Sequence, residues 1–365
     1  MNVRKLQFKN YRNLVDGEII PSEKINIIYG NNAQGKTNIL ECLWLFCGGH
    51  SFKGSKENEF IKFGEKYSRI KAEFFSGNRE QEAEIVFNGN KKEVIINGVK
   101  KNSSAALIEK FNAVVFSPED LTLVKRGPSA RRRFIDSAVC REKLRNAIVI
   151  SKYNQTLNQR NALLKDIFRH PELKNTLGIW DETLCRLGAK IIYQRLSYIN
   201  KLSHDAETYH FGISDNTEKL KIVYSSNCAA EYGDNEEEIY EKMYSFVKNT
   251  KKEDIKSGYT NIGPHRDDFN IYINDRKAKV FASQGQQRSA VLSLKLAEAN
   301  VLSDLTGENP VILLDDVLSE LDKKRRDFLI NKIKDYQVFI TTCELKEEEG
   351  LKEGKKFYVE EGKIT

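Results

Sequence analysis

Apolar positions alternate with polar ones from the start of the chain. Val3, Leu6 and Phe8 are set among polar neighbours in "MNVRKLQFKNYRNL", which predicts a first strand. The run "KINIIY" predicts a second, short strand that leads into Gly30. After it the apolar spacing becomes helical, with Ile39, Leu40, Leu43, Trp44 and Phe46 on one face. Residues 69–99 return to sheet, with a hairpin turning at Asn88-Gly89. Ala113 to Phe116 predicts a strand, and Ser117-Pro118-Glu119-Asp120 a helix start, with a cap, a proline and acids in the first turn.

From Arg126 to Tyr209 glycine is sparse and strand signals vanish. The spacing predicts one long helical stretch from Ser129 to Leu164 and a second from Trp180 to Tyr209. "LKIVYSS" predicts a short strand and "DNEEEIYEKMYSFVKNT" a charged helix. Sheet character returns at "DFNIYINDRKAKVFA", a hairpin turning at Asn274-Asp275. Then come a long helix in "QGQQRSAVLSLKLAEANVLSDL", a buried strand in "NPVILLDD", a helix in "KKRRDFLINKIKDY" and a last core strand in "QVFITTC". The expected architecture is α/β: a head with a mixed sheet, built from both ends of the chain, and an inserted, mainly helical arm. The expected boundaries are 1–125 for the N-terminal lobe, 126–255 for the arm and 256–365 for the C-terminal lobe.

Composition narrows the class. The 365 residues suffice for about two domains. No apolar run is long enough to span a membrane and no hydrophobic leader opens the chain, so a cytoplasmic protein is expected, with no membrane partner. The six cysteines form no C-x-x-C pair, which points to reduced thiols, and the five histidines show no zinc spacing. A formal charge of +7 is compatible with a nucleic-acid partner without requiring one.

The candidate chemistry begins at "GNNAQGKT", a G-x-x-x-x-G-K-T run between a predicted strand and a predicted helix. Its backbone N–H groups can wrap phosphates. Gly30, Asn31, Asn32, Ala33, Gln34, Gly35, Lys36 and Thr37 are therefore the expected ATP contacts, with Lys36 as the charge and Thr37 as a hydroxyl for Mg²⁺. "VILLDD" reads as a buried strand ending in acids, the Walker B pattern. Asp315 is expected at Mg²⁺, and Asp316 is placed to orient or deprotonate the attacking water. "ASQGQQRS" opens the helix before that strand and is similar to the L-S-G-G-Q signature of ABC-type ATPases, matched by Ser283, Gly285 and Gln286. A helix N-terminus of this kind offers N–H groups and a hydroxyl to an anion. In that class the anion is the γ-phosphate bound by a second chain. The same residues could also serve as an ordinary helix cap.

Six segments in order, "FKNYRNL", "GNNAQGKTNILE", "FSPEDLTLVKRGPSARRRFID", "GPHRDDF", "SQGQQRS" and "LLDDVLSELD", resemble the RecF family of bacterial replication and repair proteins, relatives of SMC-type ATPase heads. The resemblance covers essentially the whole chain. It implies an ATPase that acts on double-stranded and gapped DNA as an ATP-dependent homodimer, associated with the nucleoid, and that works with RecO and RecR to load RecA. It further implies that Arg12 and Asn13 lie near the nucleotide, that Glu119 takes the Q-loop position as a catalytic-site acid beside Lys36 and Asp316, and that Ser319 to Asp322 form a D-loop. His265 and Arg266 are family-like without an evident role. Cys343 stands where many ABC-type ATPases place a histidine, and Asp316 where a glutamate is commoner, so slow hydrolysis is expected. Three rivals remain at this point: the motor subunit of an ABC transporter, a P-loop small-molecule kinase and another SMC-like ATPase. Basic clusters at Lys100-Lys101, Lys125-Arg126, Arg131-Arg132-Arg133 and Lys251-Lys252 are candidate phosphate contacts, although such clusters are more often solvated helix faces.

Overall fold

The computed structural model describes residues 1–343 and 354–365. They form two compact units. The first comprises Met1–Leu121, Gly212–Asn216 and Arg288–Thr365, the second Thr122–Phe211 and Thr217–Gln287. Among the described residues no helix is long and apolar enough to cross a membrane.

The first unit contains two six-stranded sheets. One is an antiparallel meander in the order Gly17–Ile19, Asn2–Lys9, Tyr67–Ser76, Arg79–Asn88, Lys91–Ile96, Val99–Lys101. The register Phe8↔Ile70↔Ile85↔Val94 stacks apolar side chains in one row, as the period of two requires. The other sheet runs Lys363–Ile364, Lys355–Glu360, Ile25–Tyr29, Val338–Thr342, Val311–Asp315, Ala113–Phe116. Its pairings are parallel except for the terminal hairpin Lys355–Glu360 with Lys363–Ile364. Val311–Asp315 is buried along its whole length, as a central parallel strand is. The helix Lys36–Leu45 shares one apolar core with both sheets through Ile39, Leu40 and Leu43. The parallel register brings the C-terminal ends of four strands together, with Tyr29 beside Thr342, Thr341 beside Asp315 and Leu314 beside Phe116, where loops can build a site.

The second unit is mainly helical, with a three-stranded antiparallel sheet ordered Arg276–Lys277, Asp268–Ile273, Leu220–Ser225. Two details differ from the sequence expectation. The first helical stretch is broken at Lys143, which is extended (φ −153°, ψ 131°) between Pro128–Glu142 and Leu144–Asp166. There the Asn146 side chain donates to the Val139 carbonyl at 2.8 Å, competing with helix continuation. The hairpin at Asn274-Asp275 exists, but its second strand is two residues long. The main partner of Asp268–Ile273 is Leu220–Ser225, with six residues in register. That pairing places the hairpin in the second unit, whereas the sequence reading assigned it to the 256–365 lobe.

The "GPHRDD" segment acquires a structural role in this unit. Arg131 forms a bidentate pair with Asp268, both bonds at 2.7 Å, and Arg195 bonds Asp136 and the Pro264 carbonyl. His265 lies between Tyr153 Oη (2.7 Å from Nδ1) and the Thr260 carbonyl (3.0 Å from Nε2). The carbonyl can only accept, so Nε2 carries the proton and Nδ1 accepts from the tyrosine. Burial lowers the His265 pKa from 6.5 to about 4. The unfolded chain therefore takes up this proton first. The stability that the neutral ring contributes is complete above pH 6.5 and is lost as pH falls toward 4, a term of roughly 3 kcal/mol. Burial raises Asp267, which acts in the opposite sense over its own range. Thermal melts of the wild type should thus lose stability between pH 6.5 and pH 4.5, and His265→Gln should flatten that slope. An unchanged slope in the variant would assign the proton uptake to another group.

Candidate functional site

The candidate phosphate loop begins where Ile25–Tyr29 ends. Gly30 has φ +148°, and a Cβ there would fall 2.2 Å from the Val359 carbonyl oxygen, so backbone passes too close for any side chain. Gly35 has φ +113°, and a Cβ there would meet Leu14 at 2.8 Å. The loop is braced from both ends of the sequence. Asn13 donates to the Ala33 carbonyl and accepts from Asn38 at 2.7 Å. At the C-terminal turn the Gly362 N–H donates to the Gln34 carbonyl at 3.1 Å, and the Glu361 N–H to the Gln34 side chain.

Lys36 is buried, 7% exposed, and folds back over the loop. Its ammonium donates to the carbonyls of Gly30 (2.6 Å) and Asn31 (2.7 Å) and lies 3.7 Å from the Cys343 sulfur. The Cys343 thiol in turn donates to Asn32 Oδ1 at 2.8 Å. The residue at the expected histidine position thus touches both the lysine and the loop. A thiol is a weak donor and carries no positive charge when protonated.

Thr37 donates to Asp315 Oδ1 at 2.7 Å, and Thr341 donates to the same oxygen at 2.9 Å. The hydroxyl and carboxylate expected at Mg²⁺ are therefore in contact across 278 residues of sequence. Among the described residues no cluster of three or more His, Cys, Asp or Glu could hold a metal by itself. This donor set fits Mg²⁺, which keeps several waters and takes substrate phosphates besides one or two protein oxygens.

Asp316 follows in a left-handed conformation, φ +54°. Its N–H donates to Thr341 Oγ1 at 2.9 Å, and its carboxylate accepts from Ser319 at 3.1 Å, tying it to the segment expected to form the D-loop. The sequence reading singled out Glu119 in "SPEDL". The structure leaves Glu119 exposed and turns its neighbour inward: Asp120 accepts from the Ser117 N–H at 2.7 Å. Burial pushes the Asp120 carboxyl above the usual range, with Lys295 opposing. Asp120 lines a cavity of about 40 Å³ with Leu121, Arg288, Lys295 and Glu320.

Arg12 is also committed. Its guanidinium clamps the buried Glu41 of the phosphate-loop helix at 2.6 and 3.1 Å, and Tyr11 and Ser51 bond the same carboxylate. Glu41, Asn38, Thr341 and the Glu361-Gly362 turn are site residues that the sequence reading missed. Glu41 stood inside the quoted "GNNAQGKTNILE", at the helical spacing that would have marked it.

Ser283, Gly285 and Gln286 belong to the second unit. Ser283 is exposed at the head of the helix Gln284–Thr306 and forms a reciprocal cap with Gln286. The Gln286 N–H donates to Ser283 Oγ at 3.2 Å, and the Ser283 N–H to Gln286 Oε1 at 2.8 Å. The serine oxygen is accepting, so its own O–H remains available to donate.

Residues 2–365 match the model of the RecF/RecN/SMC N terminal domain. The chain belongs to that family. Within it, the protein is similar to the "DNA replication and repair protein RecF" of Ruminiclostridium cellulolyticum, 42% identical over 96% of this chain and 94% of that one. The protein of the same name from Acetivibrio thermocellus is 38% identical over 98% of each chain. A solved structure of the recombination mediator protein RecF-ATPrS in the RecFOR pathway superposes with a TM-score of 0.93, at 37% identity over 99% of this chain and 97% of that one. The Smc head domain of Pyrococcus furiosus, at 15% identity and a TM-score of 0.55, shares the fold. The expected α/β head with a mixed sheet and a helical arm is therefore the architecture of this RecF-family chain.

Proposed function

We propose that this RecF-family chain is an ATP-driven clamp on DNA in recombinational repair and replication-fork maintenance. The observation that carries the proposal is the contact of Thr37 with Asp315 at the C-terminal end of its strand, beside a loop over which Lys36 is folded. ATP enters with its triphosphate against the loop from Gly30 to Thr37, and Lys36 exchanges its two carbonyl contacts for phosphate oxygens. Thr37 and Asp315 would hold Mg²⁺, which would neutralise charge between the β- and γ-phosphates. Asp316 orients the attacking water. Hydrolysis is slow, because the shorter carboxylate reaches less far and Cys343 supplies no cation to the γ-phosphate. Closure of a homodimer brings Ser283 and Gln286 of one chain to the nucleotide of the other, and hydrolysis reopens it. By likeness to relatives of the RecFOR pathway, the partners are RecR with RecO, and through them RecA, in the cytoplasm at the nucleoid.

Around Lys125 to Arg133 and the "GPHRDD" segment, the DNA surface is assigned by what remains after internal pairing. Arg131 is consumed by Asp268 and Arg132 by the Asp267 carbonyl, whereas Lys125, Arg126, Arg133 and Arg266 are exposed. Lys100, by contrast, pairs with Glu93. Side chains of this kind read phosphate rather than base, so binding is nearly sequence-blind and salt-sensitive. Four phosphate contacts predict a slope of log K against log salt of roughly −3.6, and Arg266→Ala should reduce its magnitude by about 1. The test is sizing, ATPase activity and a salt titration with gapped duplex DNA, with and without ATP. Affinity that is flat from low to moderate salt, or ATPase activity and size indifferent to DNA and ATP, would overturn the proposal.

A further inference from the structure

We propose that Glu218 is a positioning residue for the signature glutamine and that it links the signature to the long helix of the arm. The inference rests on the reading that Ser283 and Gln286 meet a nucleotide. Three side chains of the second unit form a relay. Gln286 Nε2 donates to Glu218 Oε1 at 2.8 Å, and Glu218 Oε2 lies 3.1 Å from His210 Nε2. His210 is fully buried on the last turn of the helix Leu177–Ile213. The backbone beside Glu218 is fixed as well. The Lys219 N–H donates to Asn274 Oδ1 at 2.8 Å, and the Asn274 N–H returns to the Lys219 carbonyl at 2.9 Å.

The relay settles both ends of the Gln286 amide. Its oxygen accepts from the Ser283 N–H in the helix cap, and its nitrogen is held by Glu218. A glutamine side chain loses considerable rotamer freedom when ordered, and Glu218 incurs that loss before any ligand arrives. The cap alone leaves the amide nitrogen unrestrained, so a cap role does not explain a carboxylate anchored to a buried histidine. The arrangement holds the serine hydroxyl and the helix N–H groups in one geometry, as a preorganised anion site requires.

Positioning and charge make opposite predictions at this residue. A carboxylate beside an anion site repels a phosphate, so if Glu218 acted only through charge, its removal would tighten dimer formation. Acting through position, it is needed. Glu218→Ala should leave monomer ATP affinity unchanged, because the phosphate loop lies in the other unit. The same variant should weaken ATP-induced dimerisation and lower kcat by roughly tenfold, the effect of losing one charge-assisted hydrogen bond. Glu218→Gln keeps an acceptor and should restore both to within about twofold. The proposal is overturned by an alanine variant that dimerises and turns over like the parent, by one that dimerises more tightly, or by one whose ATP binding and melting temperature fall together. Ser283→Arg run in parallel separates the two readings. If it dimerises normally with ATP, the signature reading itself fails. If it does not and Glu218→Ala does, only the role of Glu218 fails.

Discussion

Lys36→Ala should weaken ATP binding by at least roughly a hundredfold and abolish ATP-dependent retention on DNA, because in the proposed function one buried ammonium serves both loop and ligand. That ammonium donates to the carbonyls of Gly30 and Asn31 and contacts Cys343. These contacts tie the side chain to the loop, and in the proposed function they are exchanged for phosphate oxygens when ATP arrives. Alanine removes the cation and takes its donor from two carbonyls. Lys36→Arg should fail almost as badly, since a planar fork cannot occupy the space of a compact ammonium. Calorimetry with ATP measures the loss, and a melting curve separates it from unfolding, which should change little because the two sheets do not depend on this side chain. Ordinary ATP affinity in Lys36→Ala would dismiss the phosphate-loop assignment and, with it, the roles given to Thr37 and Asp315.

The parts of the site that were legible in the sequence are those whose physics is local. "GNNAQGKT" predicts a glycine loop between strand and helix, and the structure forms that loop; four apolar residues before Asp315 predict a buried strand, and the structure buries it. Ser283-x-x-Gln286 is also the spacing of a reciprocal helix cap, and the structure forms that cap. What stayed hidden depends on distant segments. No local pattern says that Gly362 and Val359 press on the phosphate loop, or that Arg12 turns to Glu41. In "SPEDL" two adjacent acids are indistinguishable by spacing, and only the tertiary fold turns Asp120 inward, half-buried, and leaves Glu119 outside. The hairpin at Asn274 was visible, but its unit was not, because strand pairing with Leu220–Ser225 is set across about fifty residues.

The second large effect is expected from Ser283→Arg, which asks whether the signature is more than a cap. Ser283 is exposed, its oxygen accepts from the Gln286 N–H, and its O–H is left to donate. A cap alone would tolerate the change at a cost of about 1 kcal/mol, the usual loss when a capping serine is removed. A composite site would not. Arginine places bulk and charge where a second chain must present its γ-phosphate, while the phosphate loop, carried by the other unit, is untouched. The expected result is near-normal ATP binding by the monomer, no ATP-induced dimer and little hydrolysis. Mixing with Lys36→Ala sharpens the test, since the mixed dimer keeps one intact phosphate loop facing one intact signature and should recover part of the activity. Sedimentation with ATP reads the dimer, and phosphate release reads turnover. If Ser283→Arg dimerises with ATP as well as the parent does, the helix start is only a cap, and the closed dimer must be held by another surface.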